Sequence, residues 1–177
     1  MQKLKPYRFC PVCSTKFEKK KVGLEQDIRN VCPKCDYVMY VNSSPTSNAV
    51  ILNSENELLL TKRAIKPAIG KWDFAGGFLN NNENPVDGLK REIKEELGVD
   101  CTVGDFVNVH VSLFPSLWRE AALNMYYYVK LKKGKIIAMS DVAEVRWFSV
   151  NEIKESMMSY AGNWKIVQQV KKSLRGR

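Results

Sequence analysis

Long apolar runs are missing from this sequence. The longest aliphatic stretches, "AVIL" at 49–52 and "LLL" at 58–60, fall far short of the about 20 residues that a membrane-spanning helix needs. Their shortness excludes a helical membrane span. The opening residues, "MQKLKPYRF", lack the apolar stretch of a secretory signal, so a cytoplasmic chain with reduced cysteines is expected. Histidine is nearly absent: lone His110 lies in an apolar stretch and reads as a packed strand residue rather than a catalyst. Internal repeats and low-complexity segments are lacking too. Acids are in deficit, 19 against 28 Lys/Arg, for a net charge of +9. Nine of the basic residues but only four of the acids fall in residues 1–41. That surplus reads either as a solvated basic surface or as attraction for phosphates.

What is present divides a chain of 177 residues into one ordinary domain with a small appendage. Cys10 and Cys13 in "CPVC" and Cys32 and Cys35 in "CPKC" are two CxxC pairs separated by eighteen residues, the spacing of a four-thiolate zinc site. A zinc ribbon over residues 1–41 is expected. Four thiolates close the coordination shell, which makes the metal structural. A redox CxxC, a disulfide pair and rubredoxin-like iron are the alternatives. So short a segment buries too little apolar surface to fold unaided, so metal must supply its stability. Cys101, in an expected strand, reads as a buried apolar side chain. The ribbon is expected to serve structure or homodimer formation, with nucleic-acid contact as the second reading.

"VNSSPTS" provides a turn-rich linker, residues 42–47, ahead of a domain over residues 48–177. Strands are expected at 48–53, 57–64, 71–79, 101–113, 122–132 and 145–148. "NPVDGLKREIKEELG" is the clearest helix, with Asn84 as cap, Pro85 in its first turn and Gly98 at its exit. Further helices are expected over 150–156 and 163–174. This mixture predicts an α/β fold, a mixed sheet covered on both faces.

On that helix Val86, Leu89, Ile93 and Leu97 form the buried stripe, while Glu92, Glu95 and Glu96 line its flank. Like charges at this spacing oppose one another unless a cation sits among them, and hard divalent cations take oxygen ligands. Gly77, five residues, Glu83, seven residues, then Arg91-Glu92-Ile93-Lys94-Glu95-Glu96-Leu97-Gly98-Val99 matches every fixed position of the Nudix box. The region from about residue 47 to 177 thus resembles the Nudix hydrolases. That resemblance implies an α/β/α sandwich, Mg²⁺ or Mn²⁺ as cofactor beside structural Zn²⁺, and hydrolysis of a nucleoside diphosphate linked to a moiety X. It implies Glu92, Glu95 and Glu96 as metal ligands together with the Gly76 carbonyl, and a Glu83–Arg91 pair holding loop to helix. Asp141 lies where many members carry an additional ligand. Glu95 and Glu120 are the candidate bases, and Glu144 is a further late acid.

Zinc ribbon followed by Nudix box resembles the NADH, FAD and ADP-ribose diphosphatases. The NADH group carries SQPWPFPxS after the box, whereas "HVSLFPSLW" here keeps only Phe114-Pro115. Pro115, sixteen residues beyond Val99, is a feature associated with ADP-ribose hydrolases. Arg63, Phe114, Trp118 and Tyr126 are the expected substrate contacts, the aromatics by stacking on adenine. The resemblance therefore implies a small dinucleotide or nucleotide-sugar substrate, ADP-ribose or FAD first, with release of AMP. NAD(H) hydrolysis, removal of a 5′-NAD cap from RNA and a non-catalytic nucleotide sensor are the alternatives.

Overall fold

The computed structural model describes residues 7–24, 27–113 and 121–176. They form two compact units, one ending at Asn42 and one beginning at Ser43.

The first unit is an antiparallel sheet of β1 (Glu18–Val22), β2 (Asp27–Val31) and β3 (Val38–Met39), with β2 in the middle. Its buried residues among those described are Cys10, Asn30, Val31 and Cys32. Such a core is far too small to repay the ordering entropy of the segment. The two cysteine knuckles are therefore its centre.

The second unit carries β4 (Ser44–Val50), β5 (Leu58–Arg63), β6 (Trp72–Asp73), β7 (Gly76–Phe78), α1 (Pro85–Leu97), β8 (Cys101–Leu113), β9 (Ala121–Leu131), β10 (Val142–Phe148) and α2 (Ala161–Arg175). One sheet runs β7-β4-β9-β8, the other β10-β5-β6. β4 lies parallel to β9 while the other pairs are antiparallel, so the architecture is the expected mixed one. "LLL" in β5 is buried on both faces: Leu59 joins the core under α1, while Leu58 and Leu60 join the core under α2. Leu89, Ile93 and Leu97 of α1 are fully buried, each contributing about 1.5–3 kcal/mol. Val86, at the head of the same stripe, is only partly covered. Asn84 Oδ1 accepts from Val86 N–H at 3.0 Å, and Gly98, at φ 72°, donates to Lys94 O at 3.1 Å. Both ends of α1 thus stop where their capping residues dictate.

Three expectations need correction. Residues 44–47 are not linker but the first half of β4, because Thr46 and Ser47 are buried between β7 and β9. "KWDFAGGFL" is not one strand: β6 and β7 belong to different sheets, and buried Phe74 and Ala75 carry the chain between them. Residues 150–156 do not form a helix; only a short 3₁₀ turn at Glu155–Met157 is present. Val150 and Ile153 are buried there as anchors, and Ser159 N–H is drawn to Trp72 O at 2.8 Å, so tertiary contact overrides helical propensity.

Candidate active site

A cleft of about 480 Å³ opens in the second unit, with Glu92 and Glu96 of α1 at one end. Glu96 is only 6% exposed and accepts the Gly76 N–H at 2.9 Å. Gly76 sits at φ 135°, and a Cβ there would fall 2.2 Å from Ser47 O, so no other residue fits. A Cβ on Gly77 would lie 2.7 Å from the Glu92 carboxyl. The two glycines let the backbone of β7 press directly against both carboxyls. Gly77→Ala is expected to push Glu92 aside and lower kcat by about 10²-fold, the scale of a misplacement near 1 Å, measured by steady-state kinetics.

Burial pushes the Glu96 carboxyl well above its ordinary range, against the Gly76 N–H, and the charges of Asp141, Glu92 and Asp73 push it further. Burial also raises Glu92; Arg91 opposes that rise, while Glu95 and Asp141 add to it. Asp141 lines the same cleft. A cleft lined by Glu92, Glu96 and Asp141 suits a hard divalent cation, which would take carboxylate oxygens and relieve the repulsion felt by Glu92 and Glu96. Glu95 is about half exposed and lies 3.3 Å from Arg91 Nη1, outside the cleft lining.

Arg91 ties this end together. Its Nε and Nη2 reach Glu83 at 2.8 and 3.0 Å, its Nη1 reaches Glu92 at 2.8 Å, and its Nη2 also donates to Phe78 O at 3.2 Å. Its fork geometry suits this multidentate grip. Asn82, just ahead of Glu83, sits at φ 63°, a left-handed conformation that asparagine tolerates. The side chain of Arg91, with the Asn80 N–H, holds the Glu83 carboxyl down from 4.5 to about 2. Its stabilising contribution is therefore present above pH 4.5 and lost as pH falls toward about 2. The melting temperature of the wild type is expected to fall more steeply than that of Glu83→Gln between pH 5 and pH 2.5, measured by calorimetry.

A chain of hydrogen-bonded polar side chains also borders the cleft. Arg63 donates from Nε to Pro67 O at 2.7 Å and from Nη1 to Asp73 Oδ2 at 3.4 Å. Asp73 Oδ1 accepts from Asn163 Nδ2, and Asn163 Oδ1 accepts from Tyr126 Oη at 2.7 Å. Burial raises the Asp73 carboxyl, with Ser159 and Arg63 acting against it. Thr46, Asn48, Ser112 and Asn124 add neutral polar residues to the cleft lining.

Of the sequence-expected substrate contacts, Arg63 lines the cleft. Tyr126 does not offer a stacking face: it is 1% exposed, packed edge-on against Phe74 at 5.4 Å, and works as a core residue with its hydroxyl on Asn163. Phe114, Trp118 and Glu120 lie outside the described residues. Glu144 pairs with Lys62 at 3.1 Å, away from the cleft. Cys101 is buried in the core under α1. His110 packs its ring over Gly162 at the start of α2. Asp73, Asn163, Asn48 and Asn124 were not singled out from the sequence, since no motif contains them. The available signal was a polar residue at an inward position of an apolar strand, as Asn48 is in "SNAVIL".

In the first unit the sulfurs of Cys10, Cys13, Cys32 and Cys35 all lie within 4.8 Å of one another. Cys10–Cys35, Cys13–Cys32 and Cys13–Cys35 are separated by 3.6, 3.4 and 3.6 Å. Four sulfurs at about 2.3 Å from a tetrahedral zinc stand about 3.8 Å apart, so the cluster fits such an ion. No disulfide joins them. Hydrogen bonds from the Thr15 side chain and backbone hold the Cys13 thiol down to about 6, toward the thiolate that a metal takes.

Comparison with known proteins agrees with this geometry. A CTP pyrophosphohydrolase of Escherichia coli (strain K12) is 40% identical over 63 residues, 35% of this chain and 47% of that protein. The NAD-capped RNA hydrolase NudC of Pseudomonas putida (strain W619) is 24% identical over 148 residues, 83% of this chain and 50% of that protein. The chain thus spans about half the length of these curated relatives. The crystal structure of a NUDIX hydrolase from Nitrosomonas europaea superposes with a TM-score of 0.79 at 28% identity, covering 97% of this chain and 94% of the other. The NUDIX domain model matches residues 43–170, which include the cleft and its carboxylate helix, and the chain belongs to the Nudix hydrolase family.

Proposed function

We propose that the protein hydrolyses the diphosphate of a nucleoside diphosphate linked to X, with ADP-ribose or FAD as first substrates and AMP as a product. The observation that carries this reading is that Glu92, Glu96 and Asp141 line one cleft together with Arg63. Glu92, Glu96 and Asp141, with the Gly76 carbonyl, would hold Mg²⁺ or Mn²⁺. When bound, such a cation neutralises diphosphate charge and acidifies a water molecule. Arg91 fixes the direction of the Glu92 carboxyl through the 2.8 Å contact, and Glu83 fixes Arg91 in turn. Glu95 and Glu120 are the two proposed acceptors of the proton from the attacking water. Arg63, held by Asp73 and Pro67, presents its planar guanidinium to the cleft, suited to a phosphate oxygen.

A second reading, NAD(H) or 5′-NAD-cap hydrolysis, is favoured by the NudC relative, which aligns over most of this chain. The exposed Lys19, Lys20 and Lys21 of β1 give an RNA strand a place to bind. A panel of ADP-ribose, FAD, NADH, NAD⁺ and NAD-capped RNA, followed by AMP release or cap loss, separates the two. Preference for ADP-ribose or FAD supports the first reading. Preference for capped RNA over free NAD⁺, collapsing with added salt, would replace it by the second. Binding without turnover of any substrate would favour the sensor.

A further inference from the structure

We infer that the cleft reads an amino-bearing nucleobase, with Asn48 Oδ1 as the hydrogen-bond acceptor that selects it. The inference rests on the nucleotide reading above. It follows from a chain of hydrogen bonds that runs in one direction only.

Backbone carbonyls can only accept, and they fix the chain at its start. Asn124 Nδ2 lies 3.1 Å from both His110 O and Ala122 O, and 2.9 Å from Ser112 Oγ. That atom must be the amide nitrogen. Asn124 Oδ1 therefore faces Thr46 Oγ1 at 3.0 Å, and Thr46 commits its only proton to it. Thr46 Oγ1 is left as an acceptor for Asn48 Nδ2, also at 3.0 Å. The same nitrogen donates to Met125 O at 3.2 Å, so both amide protons of Asn48 are committed. Turning the amide over would set Asn48 Oδ1 against the Met125 carbonyl and the lone pairs of Thr46, two repulsive contacts in place of two bonds. The flip is blocked, and Asn48 Oδ1 has no hydrogen-bond partner among the described residues.

Asn48 lines the cleft, as do the neutral residues Thr46, Ser112 and Asn124. An acceptor of fixed polarity there pairs with an N–H donor, such as the 6-amino group of adenine or the 4-amino group of cytosine. Hypoxanthine and uracil carry a carbonyl at the same position. Two acceptors would then meet in a partly desolvated site, the repulsive half of a specificity device.

The test is calorimetric binding of ADP against IDP, and of CDP against UDP, to the zinc-loaded full chain in Mg²⁺. The amino member of each pair is expected to bind about tenfold tighter or more, the scale of one hydrogen bond gained against one left unmade. Asn48→Leu, close in volume but without an acceptor, is expected to bring both ratios to about one. Equal wild-type affinities within each pair would overturn the inference without recourse to any variant, and so would a preference that survives in Asn48→Leu. Such an outcome leaves the nucleotide reading standing if both members bind; binding of neither removes the two together.

Discussion

Replacing Glu96 by glutamine is expected to lower turnover by at least about 10³-fold while leaving the protein, without Mg²⁺ or Mn²⁺, as stable as wild type or more so. The two effects have one origin. Glu96 is buried beside Glu92, Asp141 and Asp73, and its carboxyl titrates well above 4.5 because the ionised form is poorly solvated there. With the folded pKa raised, the stability associated with the protonated acid is fully present below about pH 4.5. It is lost progressively as pH rises through the folded value. Glutamine keeps the acceptor for Gly76 N–H and has no charge to bury. The melting temperature of the variant should therefore decline less between pH 5 and pH 8 than that of the cation-free wild type, with buried Glu92 and Asp73 supplying the decline that remains. Calorimetry across that range, beside AMP release from ADP-ribose, reads both. A variant less stable than wild type at pH 8 would mean that Glu96 is held by the fold rather than strained within it.

The second large effect concerns the first unit. Removing metal with a chelator should abolish its fold, because Cys10, Asn30, Val31 and Cys32 make too small a core to replace the cross-link between the two knuckles. Amide exchange at residues 28–32 is the readout, with protection expected to fall by at least about 10³-fold and to return with Zn²⁺. Native mass spectrometry should find one zinc per chain before chelation. Protection that persists without metal would point instead to a self-sufficient fold. Iron in place of zinc would show as visible absorbance and would change the ion without changing the argument about stability.

The helix at the centre of the site was legible because three local signals agree on it: the cap Asn84, the stripe of Leu89, Ile93 and Leu97, and the exit at Gly98. The box spacing added Glu83 and Arg91, and the structure brings these two within 2.8 Å of each other. The boundary at 44–47 misled because serine, threonine and proline signal turns in isolation, whereas Thr46 and Ser47 here are held by strands distant in sequence. Tyr126 misled for a related reason. An aromatic in a strand is equally a stacking surface and a core side chain, and only the packing of Phe74 and Asn163 against it decides. Asp73, Asn163, Asn48 and Asn124 owe their importance to partners many tens of residues away. Asn124 meets Thr46 across 78 positions, and no local pattern encodes such a pair.

Hydrolysis is proposed to rely on an ion held by the carboxyls of α1. Titration of Mn²⁺ into the zinc-loaded protein, followed by electron paramagnetic resonance with AMP release from ADP-ribose in the same samples, tests it directly. Turnover is expected to rise in step with bound Mn²⁺, and Glu92→Gln and Glu96→Gln should each lose both. Turnover that proceeds without added divalent cation, or Mn²⁺ binding that is undiminished when Glu92 and Glu96 are both replaced, would contradict it.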